Sequence, residues 1–251
     1  ELYPVRQRFD DTALEDPLGE LRAAFAGARL QARVEPGQRV AVAVGSRGIS
    51  RLPELVAVVV ECLRRLGLVP FIIPAMGSHG RATAEGQAAL LRELGVDEAS
   101  AGAPVLSTMA VDSLGRLPTG AEIFCARDAL AADHLVLLNR VKPHTAFRFR
   151  VESGLCKMLA VGLGKDQGAA TLHKYGLART LVPAAERILT HAPVLCGIAV
   201  VETARDEIHT LRLVRPEDFI AADAALLVTA RALLPRIPVD DLDILLVDEM
   251  G

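Results

Sequence analysis

Two histidines stand in loops of the sequence where an imidazole could take part in proton transfer. His79 lies between glycines within residues 77–80, and His144 follows Pro143 in a loop that carries two further cations. Flanking glycines let a backbone approach a ligand closely, and imidazole changes its charge near neutral pH. The pair could therefore serve as general base and general acid for one substrate.

A lysine in an apolar setting is the next candidate. Lys157 lies within residues 152–165 and is surrounded by apolar side chains, so its ammonium would be poorly hydrated there. A lysine in such a position is a candidate covalent nucleophile or Schiff-base residue. The alternative is a lysine whose stem packs on apolar surface while its ammonium reaches solvent. The composition of the segment does not separate these two interpretations.

A glycine-rich turn follows this lysine. Gly162 and Gly164 resemble part of a phosphate-binding loop, but neither the P-loop pattern nor the G-x-G-x-x-G pattern is completed. A glycine-rich turn that opens a helix, predicted here at residues 169–175, could still hold a phosphate through its free N–H groups. His173 lies in that predicted helix. These features predict a nucleotide-like cofactor without a standard motif.

One arginine is placed to recognise an anionic substrate. Arg47 belongs to a glycine-flanked loop, residues 45–48, which follows an apolar run. Its guanidinium could bind a carboxylate through two parallel hydrogen bonds. A solvated arginine is the alternative interpretation.

The elements that must position these residues are short apolar runs alternating with helical segments. Runs rich in Val, Leu and Ile predict strands buried on both faces, and the intervening segments have helical periodicity. The predicted strands are 39–44, 69–74, 134–139, 196–201 and 243–247, and the predicted helices are 52–66, 83–94, 169–175, 181–191 and 216–233. This alternation predicts an α/β layered domain with a largely parallel sheet flanked by helices. In such a sheet the active site is expected on loops at the ends of strands.

Composition narrows the class of protein. With 24% charged residues and a net charge of −3, the chain offers no basic surface for nucleic acid or for an anionic membrane. Its longest apolar run, 55–60, is far shorter than the roughly 20 residues of a membrane span. Four cysteines without a C-x-x-C pair favour a reducing cytoplasm. We expect a cytoplasmic protein with a small-molecule substrate; its oligomeric state cannot be predicted from these features.

Taken together, three segments resemble a known family. Residues 74–80 (PAMGSHG), 139–145 (NRVKPHT) and 152–158 (ESGLCKM) are similar to the nickel-pincer racemases, whose best-known member is lactate racemase, and in particular to a branch described as nickel-pincer-cofactor-dependent isomerases. The resemblance extends over roughly residues 38–176. Its order, a His, then Pro-His, then Gly-x-x-Lys, then a His, is fairly specific.

The resemblance implies a cofactor and a ligand set. In that family a pyridinium-type mononucleotide carrying nickel is bound to a lysine through a thioamide, and Lys157 matches this lysine. His173 matches the histidine that coordinates the nickel, and the imidazole nitrogen is a suitable donor for Ni(II). Recombinant protein can lack this cofactor. Three glycines near the lysine are expected to contact the cofactor when it is bound. These glycines are Gly154, Gly162 and Gly164.

The resemblance also implies an activity. His79 and His144 match the family's acid/base histidines, and Arg47 matches its carboxylate-binding arginine. The expected reaction is racemisation or epimerisation of a 2-hydroxy acid or related alcohol by reversible hydride transfer to the nickel-pincer nucleotide. Val44 and Gly48 replace an Asp and a Pro of the racemases, so the lactate substrate does not carry over directly.

Two other classes of function stay open at this point. One is a non-catalytic nucleotide- or metal-binding module, and the other is a hydrolase that uses the same histidines with a divalent metal. On the racemase interpretation, residues 1–251 are the N-terminal, cofactor-binding domain. The predicted strand at 243–247 then suggests that a C-terminal domain is absent from this chain.

Overall fold

A mostly parallel five-stranded sheet forms the centre of the chain. The computed structural model describes residues 5–46, 48–237, 239, 241 and 243–247. The strands are β1 (Arg39–Val44), β2 (Val69–Pro74), β3 (Val111–Arg116), β4 (Glu122–Ala126), β5 (His134–Arg140), β6 (Val194–Glu202) and β7 (Ile208–Val214). The sheet has the order β2-β1-β5-β6-β7, in which only β7 runs antiparallel to its neighbour. β3 and β4 form a separate antiparallel pair.

Helices cover both faces of the sheet. They are α1 (Pro17–Gly27), α2 (Leu52–Arg65), α3 (Ala84–Glu93), α4 (Glu98–Ala101), α5 (Arg127–Leu130), α6 (Leu155–Lys157), α7 (Lys165–Tyr175), α8 (Leu177–Leu189) and α9 (Phe219–Leu233). Short 3₁₀ turns occupy Leu30–Ala32, Gly80–Ala82 and Pro216–Asp218, and a π-helical turn occupies Met158–Gly162. Within the described ranges, no helix combines the length and apolar character needed to cross a membrane.

The apolar runs are continuous because side chains on both faces of the sheet are buried. In β1, Ala41 and Ala43 belong to the core beneath α7, α8 and α9. Val40, Val42 and Val44 belong to the opposite core, against α1 and α2. The two-residue period of a strand thus divides one apolar run between two helix layers.

The structure confirms the predicted α/β class with a largely parallel sheet. The strands at 39–44 and 69–74 have the predicted bounds, whereas β5 and β6 are longer than predicted. The antiparallel β7 and the β3–β4 pair were not predicted. The helix predicted at 169–175 begins earlier, at Lys165, so Gly168 lies inside it rather than in a turn before it.

The prediction of a strand at 243–247 is wrong. These residues have no regular secondary structure, and Ile244 and Leu246 are 77% and 85% exposed. The edges of the five-stranded sheet are β2 and β7, and neither pairs with this segment. An apolar run becomes a strand only where a neighbouring strand accepts its backbone hydrogen bonds.

Candidate functional site

A cavity of about 390 Å³ opens at the carboxyl ends of β1, β2 and β5. These three strands are neighbours in the sheet, so the loops that follow them meet. The lining residues are Gly45 and Ser46 after β1; Ala75, Met76, Ser78 and His79 after β2; Asn139, Arg140, Lys142, Pro143, His144 and Thr145 at the end of β5; Ser153, Lys157, Met158, Val161 and Gly162; and Ala169 and His173 on α7. Four of the residues predicted for the site therefore line one cavity: His79, His144, Lys157 and His173.

Lys157 is carried by α6, and a buried carboxylate fixes the start of that short helix. Asp223 of α9 accepts hydrogen bonds from the backbone N–H groups of Leu155 (3.1 Å) and Cys156 (2.8 Å). Burial raises the pKa of Asp223 to about 6, against the opposing effect of these two hydrogen bonds. The free N–H groups of the helix are thus satisfied by a side chain from a distant element, and Lys157 itself is half-buried in the cavity wall.

Gly154 lies directly against the Asp223 carboxylate, which caps the start of α6. Its φ is +98°, and a Cβ there would lie 2.3 Å from Asp223 Oδ1. Its carbonyl oxygen accepts a 2.6 Å hydrogen bond from Asn139 Nδ2. Gly154 does not line the cavity, so its contribution is to let the chain turn tightly into α6.

The π-helical turn after Lys157 packs on the end of β2. A Cβ on Gly162 would lie 2.6 Å from the carbonyl oxygen of Ala75, so the close approach requires glycine at this position. Gly162 lines the cavity, whereas Gly164 packs against Ala160 and Gly168, away from it. Such π-helical turns are frequent at functional sites because they displace a side chain from the regular helical path.

His79 is held both at its ring and at its backbone. Ser46 Oγ lies 2.5 Å from His79 Nδ1. Gln87 of α3 is fully buried and donates from Nε2 to the carbonyl oxygens of Gly77 (2.8 Å) and His79 (3.3 Å). The loop between β2 and α3 is thereby attached to the body of the domain.

Lys165 binds Gln87 and the end of β2, and so supports the loop that carries His79. Its side chain is buried, and Nζ donates to Gln87 Oε1 at 2.9 Å and to the carbonyl oxygen of Pro74 at 2.6 Å. Burial lowers the pKa of Lys165 to about 8, partly opposed by the charges of Asp128 and Asp166. Lys165, which directly follows the glycine-rich turn at 162–164, therefore belongs to an internal hydrogen-bond network.

His144 is held in place by hydrogen bonds and a ring contact within its own loop. Its backbone N–H donates to Glu152 Oε2 at 2.9 Å, and its carbonyl oxygen accepts from Arg148 at 3.1 Å. Its Nδ1 accepts from the backbone N–H of Ala146 at 3.1 Å, and its ring lies 4.4 Å from that of Phe147. Burial, and then the charge of Lys157, lower the pKa of His144, which favours the neutral imidazole.

Glu152 organises the loop that carries His144. Its side chain is fully buried and also accepts from the backbone N–H of Phe149 (2.8 Å) and from Arg231 of α9 (2.6 Å). Burial alone would raise the pKa of Glu152, but the hydrogen bonds from His144, Phe149 and Arg231 outweigh it and hold the pKa below its usual range. The carboxylate of Glu152 is thus charged at neutral pH. It joins the backbone at His144 to the backbone at Phe149 within the same loop.

A third buried carboxylate holds the backbone at Ser50, in the loop after β1. Glu202 forms an ion pair with Arg140 and accepts a 2.5 Å hydrogen bond from the backbone N–H of Ser50. Ser50 follows Arg47 by three residues, so this loop is tied to the ends of β5 and β6. Arg47 itself lies outside the described residues, and its binding of a substrate carboxylate stays a prediction.

Sequence reasoning missed the residues that support the site. Asp223, Gln87, Glu202 and Lys165 were not assigned to it, although all four are buried. One signal was present for Asp223, since it is the one acidic residue in the otherwise apolar run 219–228 of α9. A charge on the buried face of a helix needs a partner, but the sequence does not name that partner.

Comparisons with known proteins identify the family. The chain gave no significant match among curated proteins. Its structure is similar to that of the lactate racemase apoprotein from Thermoanaerobacterium thermosaccharolyticum, with a TM-score of 0.59 and 15% sequence identity over 82% of this chain and 54% of that chain. At this identity the similarity shows the fold, and the chain spans about half the length of that protein. The family model of the lactate racemase N-terminal domain matches residues 11–180, which is more than half of the chain. The resemblance seen in the sequence is thus confirmed, and the chain belongs to the lactate racemase N-terminal domain family.

Proposed function

We propose that the chain is the cofactor-binding part of an isomerase, a racemase or epimerase that acts on a 2-hydroxy acid or a related alcohol. The observation that supports this most directly is the single cavity shared by Lys157, His173, His79 and His144. An amine, a potential metal ligand and two proton carriers are the groups that such a reaction needs. The protein is proposed to act in the cytoplasm on a small molecule, without nucleic acid or membrane as partner.

The side chains of the cavity fit a nickel-pincer nucleotide. Lys157 would hold it covalently, His173 would supply one nitrogen donor, and the cations Arg140 and Lys142 line the same space and suit a phosphate. No three His, Cys, Asp or Glu side chains among the described residues lie together as a metal-binding group. The remaining donors to nickel would therefore come from the nucleotide. When bound, this group supplies the acceptor for the hydrogen that leaves the substrate carbon.

The chain's own residues would handle the substrate's oxygen. His79 and His144 reach the cavity from the loops after β2 and β5, and either ring can approach a hydroxyl group placed between these loops. Neutral imidazole is favoured at His144, where burial lowers the pKa. Arg47 is proposed to bind the substrate carboxylate.

A hydrolase with an ordinary divalent metal is less well supported. Catalytic metal sites are usually held by three protein side chains, and the described part of the chain brings no such set together. A non-catalytic module would use the same cavity without a covalent bond to Lys157. The racemase and the non-catalytic module therefore differ in whether the cofactor becomes covalently bound to Lys157.

Mass spectrometry of protein from a host that makes the cofactor tests the proposal. We expect an added mass on the peptide containing Lys157 that survives denaturation, together with bound nickel. Lys157→Arg should lose both, His173→Ala should lose nickel but keep the adduct, and Lys174→Arg, at an exposed position on the same helix as His173, should keep both. An unmodified Lys157 in such a host would exclude the proposed function.

A further inference from the structure

The loop that carries His79 has an unfavourable backbone conformation. Four of the residues 77–82 have left-handed φ values, and these are Gly77 (+58°), Gly80 (+64°), Arg81 (+58°) and Ala82 (+54°). The conformation is sterically unfavourable for Arg81 and Ala82, because each has a Cβ. Residues in such conformations persist only where the surrounding structure holds them there. The position of His79 therefore depends on groups outside its own loop.

Gln87 of α3 holds this loop with both ends of its carboxamide. Nε2 donates to the carbonyl oxygens of Gly77 (2.8 Å) and His79 (3.3 Å), and Oε1 accepts from Lys165 Nζ (2.9 Å). The two carbonyl oxygens can only accept, so the carboxamide has one possible orientation. The side chain is fully buried. Its removal would therefore leave buried carbonyl groups without a donor.

Lys165 connects the same carboxamide to the side of the cavity that is proposed to hold the cofactor. It is the first residue of α7, the helix that carries His173, and its own φ is +52°. Its Nζ also donates to the carbonyl oxygen of Pro74, the last residue of β2. The start of α7, the end of β2 and the loop after β2 are thus joined through one buried lysine.

A backbone hydrogen bond joins the same loop to the turn that follows Lys157. The N–H of Gly77 donates to the carbonyl oxygen of Gly162 at 3.1 Å. Gly162 ends the π-helical turn that begins directly after Lys157. The loop of His79 is thus connected to the lysine proposed to bind the cofactor and, through Lys165, to the helix of the proposed nickel ligand.

We infer that Gln87 and Lys165 are positioning residues of the proposed reaction, which hold the His79 imidazole in place relative to Lys157. This inference rests on the proposed function and deepens it. Neither residue lines the cavity, so they act through the loop and not by contact with a ligand. A proton carrier must lie within hydrogen-bond reach of the hydroxyl group that it serves. A displacement of about 1 Å can slow such a reaction by about a hundredfold.

The placement of His79 can be measured without any cofactor, from the ring signals of ¹⁵N-histidine-labelled protein. Gln87→Met has a side chain of similar length but makes none of the three hydrogen bonds. We expect the His79 signals to move towards those of Ser46→Ala, because displacement of the loop weakens the hydrogen bond between Ser46 and His79. The signals of His144, whose loop is held by Glu152, should stay in place.

Two further variants give the scale of the effect. Lys165→Met leaves the bonds of Gln87 to the loop in place and should move the His79 signals less. Glu93→Met, at an exposed position of α3, should leave them unchanged. Unchanged His79 signals in folded Gln87→Met protein would overturn the inference, and so would an equal movement of the His144 signals. If Gln87→Met does not fold, Gln87→Glu gives the same comparison, because it keeps the acceptor for Lys165 and loses the donor.

Steady-state kinetics of the loaded enzyme provide a readout that a purely structural role would not change. In protein with equal modification of Lys157, Gln87→Met should lower kcat about ten- to a hundredfold and leave KM within about threefold of the wild-type value. An unchanged kcat together with displaced His79 signals would contradict the positioning role. An unmodified Lys157 in the wild type would instead count against the proposed function, and not against the link between Gln87 and His79.

Discussion

The carboxylate of Asp223 accepts a 2.8 Å hydrogen bond from the backbone N–H of Cys156, the residue that precedes Lys157. It also accepts from Leu155, so α9 holds the helix that presents the proposed cofactor-binding lysine. The side chain is fully buried, and no charged group is among the causes that shift its pKa. Its contribution to the site is made through two backbone N–H groups and a hydrogen bond with the Cys156 side chain, which also lowers its pKa.

Removal of this cap should cost both stability and cofactor attachment. Asp223→Ala leaves two buried N–H groups without a partner, at about 1–3 kcal/mol each. We expect a loss of about 2–6 kcal/mol in the free energy of unfolding, measured with urea, and slower modification of Lys157. Val228→Ala, at a position of the same helix that is 66% exposed, is the matched control and should change little. A fully stable Asp223→Ala protein would show that the cap is dispensable.

Asp223 should also make stability depend on pH. Its pKa is raised from 3.8 to about 6 in the folded protein, so the folded state binds more protons than the unfolded chain between these values. Stability therefore falls as pH rises from about 4 to about 6, by about 3 kcal/mol for a shift of this size. Urea unfolding of the wild type and of Asp223→Asn across this pH range should show the fall in stability in the wild type and not in the variant. Parallel curves for the two proteins would contradict the prediction.

Lys165 should make the stability of the fold depend on pH with the opposite sign. Its pKa is lowered from 10.5 to about 8, so the unfolded chain binds more protons between these values. Stability from this group therefore rises with pH from about 8 to about 10.5, by about 3 kcal/mol. Lys165→Met should remove the rise, whereas Lys174→Met, which changes an exposed lysine of the same helix, should keep it. Unfolding measured at several alkaline pH values decides between these outcomes.

Gly154 offers a test of the tight turn before α6. A Cβ at this position would lie 2.3 Å from Asp223 Oδ1, and the residue has φ +98°. Gly176 has a similar φ of +87° but no atom within 4 Å of its hypothetical Cβ. Gly154→Ala should therefore lose at least about 2 kcal/mol more than Gly176→Ala, because only the former adds a clash to the backbone strain. Thermal or urea unfolding of the two variants gives the comparison, and equal losses would mean that the clash is relieved.

The sequence by itself determined the main elements and the composition of the cavity. Runs such as 39–44 and 69–74 are apolar along their whole length because both faces are covered, and this pattern is visible without a structure. Polar and glycine-rich loops directly follow these runs, and the carboxyl ends of neighbouring parallel strands meet. His79 and His144 could therefore be assigned to one site in advance. Lys157 and His173 needed the family resemblance as well.

Only the tertiary structure decided which residues support the site and where an apolar run becomes a strand. Asp223 lies 67 residues from Cys156, and Glu202 lies 152 residues from Ser50. Local patterns carry no information about such pairs, because the contact depends on how two distant elements pack. The run at 243–247 is as apolar as β1 but has no partner strand among the described residues. Periodicity reports what a segment can form locally, whereas burial and pairing depend on the whole chain.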